Sequence, residues 1–464
     1  MIRLVMSVLL TTAIPPAAQQ QRAASQVIAG GTLIDGTGAA PIADAVVVVQ
    51  DGRIACVGPR GSCAIPDNAR MVDVTGKWIT PGLVDAHVHF SQTGWVDGRP
   101  DALDLRANHP YERTAAMLHD HPERFFQSYL CSGVTSVFDV GGYPWTWDLQ
   151  RRTAGRGDAP LVRAAGPLLS TIDFWLNLPG HRQFIAMADE ATVRQTVRAH
   201  VAWGAAAIKI WYIMRPGVDT ARVSALVHAT GDEARARGVP LIVHATGLWE
   251  AKDAVRAGAR LLVHSVFNEP VDDEFLALAR EHDTIYTPTL TVRDGYRQVR
   301  VRQIERGPQP FACVDPITLA NVLATDTVPF LPESAAPDRE AARAASMQGL
   351  RLAQENLARV HAAGISVVMG TDAGNPLTLH GASVFMEMEA MQRAGMTSME
   401  VLVASTRNGA RALGVADIGT VEPGNVADLL VVDADPTRDI AAMRRIALVM
   451  RAGRIHQRRD LEFR

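Results

Sequence analysis

The chain predicts a (β/α)8 barrel of the TIM type joined to a small β-sandwich domain built from both chain ends. Three observations predict it. Short apolar runs alternate with turns over residues 26–80, at Val27–Ala29, Ala45–Val49, Ile54–Val57 and Met71–Val74. Matching runs recur at 428–433 and 447–451, the second followed by the turn Ala452-Gly453. Between the two regions, strand-like apolar runs alternate with stretches long enough for helices, the pattern of a parallel α/β arrangement. The division that follows is 26–80 and 415–458 for the two parts of the β domain and 81–414 for the barrel.

Taken in order, residues 1–18 predict a signal peptide. Arg3 precedes an apolar run from Leu4 to Ile14, and Pro15, Pro16, Ala17 and Ala18 follow. Such a run is too short to span a bilayer as a helix and fits secretion. The expectation is an exported protein, periplasmic or secreted. No cysteine follows the run, so no lipid anchor is expected, and no later run approaches the roughly 20 apolar residues of a membrane span. Cys56 and Cys63 flank a Gly-Pro-Arg-Gly turn and can pair across it if the compartment is oxidising. Cys131 reads as a core residue, and none of the four cysteines has metal-site spacing.

Eight strands are expected at 83–89, 134–140, 161–166, 206–211, 241–245, 261–265, 284–288 and 366–371, with clear helices at 221–237 and 248–258. The 464 residues suffice for a large barrel and a smaller domain. The net charge of −3 gives no basic footprint for nucleic acid. The longest insertion, at 300–345, is rich in proline and precedes the last strand, where it can partly cover a site mouth.

In such a barrel, function sits at the C-terminal strand ends, and chemistry-bearing residues recur there. His87 and His89 are two apart on the first strand, so both imidazoles share a face and can hold one divalent metal, or serve as core histidines. His244 ends the fifth strand and His264 the sixth, at equivalent places one βα unit apart. Asp372 ends the eighth, as a helix cap or as a metal ligand and proton carrier. Lys209 stands inside the fourth strand in a chain with only three lysines against 43 arginines. A buried ammonium needs a reason: either a partner carboxylate, or reaction of the neutral amine with carbon dioxide to give an anionic carbamate that bridges two metals. The nitrogen and oxygen ligands suit zinc, with manganese, cobalt or nickel as alternatives.

These residues carry a resemblance. Pro81-Gly-Leu-Val-Asp-Ala-His-Val-His89, Lys209, His244, His264, Gly370-Thr-Asp372 and the stretch Val421–Asp433 together resemble the amidohydrolase superfamily in its binuclear, carboxylated-lysine form. The similarity runs from about residue 26 to 458 and is nearest the imidazolonepropionase-like and prolidase-like group. It implies two divalent ions, expected to be zinc, with His87 and His89 on the buried ion, Lys209 as the carbamate bridge and His244 and His264 on the other ion. Asp372 is implied as both ligand and acid/base. It implies hydrolysis of C–N bonds in small amide or peptide-like substrates, such as dipeptides or N-acyl amino acids, by a metal-bridging hydroxide. Homo-oligomers are common in the superfamily.

Three substrate contacts are expected: His181, in a Gly-His that resembles a substrate-facing family pair; Tyr212, directly after the lysine strand; and His380, after the last strand. The aromatic run Tyr143–Trp147 either lines an apolar pocket or packs on the barrel rim. The alternatives on the same barrel are a mononuclear deaminase or imidazolone-type ring hydrolase, against which Lys209 argues, and an esterase or lactonase. A non-catalytic binding relative would be expected to have lost ligands.

Overall fold

The structure, a computed structural model, describes residues 25–97, 105–172, 182–301, 304, 311–325 and 339–464. Residues 1–18 and His181 lie outside the described residues.

The first five strands are β1 (Gln26–Leu33), β2 (Ile42–Gln50), β3 (Arg53–Pro59), β4 (Arg70–Asp73) and β5 (Trp78–Pro81). The core strands follow as β6 (Leu83–Val88), β7 (Val134–Asp139), β8 (Leu161–Ala164), β9 (Leu168–Ser170), β10 (Phe184–Ala186), β11 (Ile208–Trp211), β12 (Leu241–His244), β13 (Ala259–Val263) and β14 (Ile285–Thr287). The chain closes with β15 (Leu429–Val432), β16 (Ile446–Arg451) and β17 (Arg454–Gln457).

Both chain ends enter one sheet, in the order β17-β16-β15-β5-β1-β2-β3 with β4 also on β1. β1 is long enough to pair with β4 through its first half and with β5 through its second, so a single hydrogen-bonded sheet runs through it. One face packs Ile28, Val47, Val49, Ile79, Leu429, Val431 and Met450 into a core of its own. The Cys56–Cys63 disulfide lies in the β3 region. Cys131 is fully buried, as expected of a core residue, but it is bonded to Cys313, 182 positions away. Apolar burial alone therefore did not describe it.

Strands β6-β7-β8 pair in parallel, and β10-β9-β11-β12-β13-β14 form a second parallel sheet. Further main-chain bonds join them: Ala206 N–H donates to Ala164 O, and Ala86 N–H to Met369 O. The expected eighth strand at 366–371 is not a regular strand. It makes isolated parallel bridges, Val367 to Tyr286 and, just beyond, Ala373 to Val88. The ladder breaks because the Thr371 N–H is taken by the side chain of Asp85, at 3.0 Å, instead of a neighbouring carbonyl. The helices Thr220–Ala236 and Leu248–Arg256 stand where expected, the first capped by the Asp219 side chain.

Two hydrophobic layers separate the faces of these strands. Ile208, Ile210, Tyr212, Leu241, Val243 and Leu262 pack with the helices. Val84, Ala86, Phe138, Ala207, Ile242, Leu261, Val263 and Val368 form the interior. Period-two alternation along each strand explains the split. Among the described residues no helix is long and apolar enough to cross a membrane.

Candidate metal centre

Four side chains meet at the C-terminal ends of these strands. Nε2 of His87 lies 3.3 Å from Nε2 of His89. Oδ1 of Asp372 is 3.2 Å from the first and 2.9 Å from the second. Nδ1 of His264 is 3.9 Å from Oδ2 of Asp372. The His264 and His244 rings are 4.2 Å apart between centroids. Lys209 is buried on the interior strand face, and its charge and that of Asp372 act on each other.

Strand alternation alone would not aim all of these inward. Val84 and Ala86 already face the interior. A register shift between Asp85 and Val88 then turns His87 and His89 to the same side, a bulge re-aiming side chains at a site. Val263 is interior, so the next residue would face the helices. His264 avoids this with φ +77°, and Asp372 likewise has φ +65°. Such left-handed conformations cost a non-glycine residue about 1–3 kcal/mol and recur at functional sites.

Burial lowers His87 to about 3, keeping its ring neutral. It also holds His264 well below its ordinary value. Burial would raise the Asp372 carboxyl, but His87 and His89 outweigh it and hold the group well below the usual carboxylate range. Burial brings Lys209 down to about 7, against the opposing charge of Asp372. Neutral imidazoles around a carboxylate are the protonation states a metal requires.

The hydrogen bonds make the same point. The carbonyl of Gly141 can only accept, so His89 donates from Nδ1 at 2.6 Å and its Nε2 is aimed at Asp372. In that orientation Nε2 is the atom available to a cation placed between the two. Nδ1 of His87 is buried without a hydrogen-bond partner. His87, His264 and Asp372 offer ligand atoms all within 4.8 Å of one another. The donor set therefore fits a divalent cation.

Supporting groups surround this set, as is usual for metal ligands. Thr289 Oγ1 is 2.6 Å from His264 Nδ1. Glu387 accepts the N–H groups of Leu290 and Thr291, the two residues after Thr289, both at 2.8 Å. Asn375 donates to Asp372 Oδ1 at 2.6 Å and accepts from the Tyr296 hydroxyl at 2.8 Å. Asp139 accepts from Phe90 N–H and Gly141 N–H, fixing the turn that carries the Gly141 carbonyl. Of these, only Asn375 sits close to a candidate ligand in sequence; Thr289 and Glu387 carry no sequence signal.

The expected substrate contacts fare differently. Tyr212 is buried on the helix-facing side and donates its hydroxyl to Asp253 at 2.8 Å, so it faces away from the centre. One position earlier, Trp211 shares the face of Lys209, and alternation from the lysine could have picked it out. His380 is buried with both ring nitrogens engaged, Nδ1 by the Tyr129 hydroxyl at 2.8 Å and Nε2 with the Gln92 carbonyl at 2.9 Å. No polar atom of its ring remains for a substrate. In the aromatic run, Tyr143 is buried and donates to the Tyr111 hydroxyl, and Trp147 Nε1–H donates to Ala165 O, so both pack on the rim.

Comparison with known proteins agrees with this geometry. The sequence model of the Amidohydrolase family matches residues 78–456. An imidazolonepropionase of Rhizorhabdus wittichii is 27% identical over 431 residues, covering 86% of this chain and 90% of that protein. The ochratoxinase of Aspergillus niger is 25% identical over 451 residues, covering 89% and 82%. The crystal structure of a Xaa-Pro dipeptidase with bound methionine superposes with a TM-score of 0.70 at 23% identity, over 94% of this chain and all of the other. The chain belongs to the amidohydrolase family. It is a metal-dependent hydrolase of C–N bonds, and the His87–His264–Asp372 group is its candidate metal site.

Proposed function

We propose that this chain is a binuclear, carboxylated-lysine amidohydrolase that cleaves amide bonds of small peptide-like substrates, such as dipeptides or N-acyl amino acids. The convergence of His87, His89, His264 and Asp372 beside a buried Lys209 carries the reading. A closed (β/α)8 barrel is the scaffold we infer. Its support is the parallel pairing of β6–β8 and β9–β14 and the bonds through 366–373 back to β6.

On this reading His87, His89 and Asp372 hold one divalent ion and His244 and His264 the other, with zinc the expected metal. Lys209 joins them as a carbamate: its neutral amine nitrogen bonds to the carbon of carbon dioxide and releases one proton. The lowered affinity of Lys209 for its proton supports this, because only the neutral amine reacts. A mononuclear deaminase or ring hydrolase has no use for such a lysine. Bound metal supplies polarisation of the scissile carbonyl and a water of lowered pKa. The protein supplies the rest. Asp372, held by Asn375, takes the proton from the attacking water and returns it to the leaving nitrogen, which leaves poorly as an anion. The rings of His89 and His264 are fixed through Gly141 and Thr289.

Export to the periplasm or beyond is proposed with it, and the disulfides Cys56–Cys63 and Cys131–Cys313 support an oxidising compartment. The test is the metal-to-protein ratio by elemental mass spectrometry, followed by a panel of dipeptides and N-acyl amino acids. About two ions per chain with amide turnover supports the reading. About one ion, with no gain on adding metal and bicarbonate, redirects it to a mononuclear centre.

A further inference from the structure

We infer that Trp211, backed by Phe184 and Leu168, forms an apolar wall of the substrate pocket beside His244, and that the preferred substrates place an aromatic group against it. The inference rests on the metal centre being the reaction centre and names the substrate class of that site.

Three observations carry it. The first is strand alternation. Ile208, Ile210 and Tyr212 face the helices, so Lys209 and Trp211 share the opposite face. Two residues along a strand advance about 7 Å, which sets the Trp211 side chain one layer above the lysine, toward the open strand ends. The second is proximity. Trp211 pairs in register with His244 between β11 and β12, and the two rings stand 6.3 Å apart at 80°. His264, His244 and Trp211, on neighbouring strands, are partly exposed, whereas His87, His89 and Asp372 are buried. The centre therefore opens toward this side.

The third is that the wall is built rather than incidental. Phe184 is buried and packs on Trp211 with centroids 4.9 Å apart. Together with Leu168 they form a cluster separate from the main core. Leu168 lies so close to Gly141 that a Cβ there would come within 2.5 Å of it, and the Gly141 carbonyl is the one that fixes His89. The wall is thus set against the metal ligands at two points, through Gly141 on one side and His244 on the other. An aromatic face at a pocket mouth, with polar groups confined to the facing strands, selects a flat apolar group by offset or edge contact.

The test uses the metal-loaded full-length protein and two matched pairs: N-benzoylglycine against N-acetylglycine, and N-acetylphenylalanine against N-acetylalanine. In at least one pair the aromatic member should lead by about tenfold or more in kcat/KM. Trp211→Ala should lower the aromatic member at least tenfold further than its partner, mainly through KM, with two ions per chain retained. Trp211→Phe should keep most of the preference, and Trp211→Leu, which fills the space without an aromatic face, should lose it and serves if the alanine variant does not fold. No aromatic preference in either pair, or an equal loss for both members, overturns the wall. If no member is hydrolysed, the amide reading fails separately. Calorimetric titration with N-benzoylglycine then decides the wall alone: tighter binding to wild type and Trp211→Phe than to Trp211→Leu or Trp211→Ala supports it, and equal binding to all of them overturns it.

Discussion

The hydroxyl of Thr289 stands 2.6 Å from Nδ1 of His264, and both residues have left-handed backbone conformations, φ +45° and +77°. Two consecutive segments are thus bent out of regular geometry to bring one hydroxyl to one imidazole. Glu387 stabilises the bend from a distant helix by accepting the N–H groups of the next two residues. Thr289→Val keeps the shape and removes the oxygen. It should weaken metal binding about 10- to 100-fold, read by competition with a chelator, while Thr289→Ser should restore most of it.

Lys209→Arg should leave the chain folded yet unable to hold two ions. Arginine remains charged at any accessible pH and cannot form a carbamate. Elemental analysis giving two ions per chain in this variant would remove the bridge.

Asp372→Asn should retain the fold and lose most turnover, since an amide cannot take up the proton that the carboxylate carries. A rate within a few-fold of wild type, measured at saturating metal, would take proton transfer away from this residue.

Glu387 predicts a pH dependence of stability. Burial raises its carboxyl from 4.5 to about 7, although Thr291 and Leu290 pull the other way. A folded-state value above the unfolded one means that the native state binds the extra proton, so stability falls as pH rises from about 4.5 to 7 and is level above that. Glu387→Gln lacks this titration. The stability of wild type relative to Glu387→Gln should therefore shrink across that window, by an amount on the order of a few kcal/mol, as measured by chemical denaturation at constant metal occupancy. A constant difference would show that Glu387 is charged throughout.

Arg451 and Asp428 form a buried pair at 2.9 Å, and Arg451 also donates to the Ala159 carbonyl, 3.1 Å away in the parallel strand region. Arg451→Ala leaves Asp428 buried without its cation. It should cost about 3–5 kcal/mol, and the loss should appear as a lower denaturation midpoint with unchanged metal stoichiometry.

Seven of the eight expected core strands, the strand-end positions of His87, His244 and His264, and the oddity of Lys209 were legible in the sequence, whereas the short strands β9 and β10 and the irregular run at 366–371 were not. Each legible feature is a local pattern: apolar periodicity, or a polar residue at the edge of an apolar run. Period-two alternation puts Lys209 and Trp211 on one face and Tyr212 on the other, where it turns to Asp253; adjacency to the lysine strand alone does not give Tyr212 a place at the centre. His380 looked available because nothing in its neighbourhood names Tyr129 and the Gln92 carbonyl as its partners. The Cys131–Cys313 bond and the Asp85 side chain that interrupts the last strand join residues 182 and 286 positions apart. The sequence by itself determined which residue types could bind metal and on which elements they ride, because those follow from spacing along the chain. Only the tertiary structure decided their aim. The bulge before His87 and the positive φ values of His264 and Asp372 are local strains that packing and distant hydrogen bonds must stabilise, and no local pattern records them.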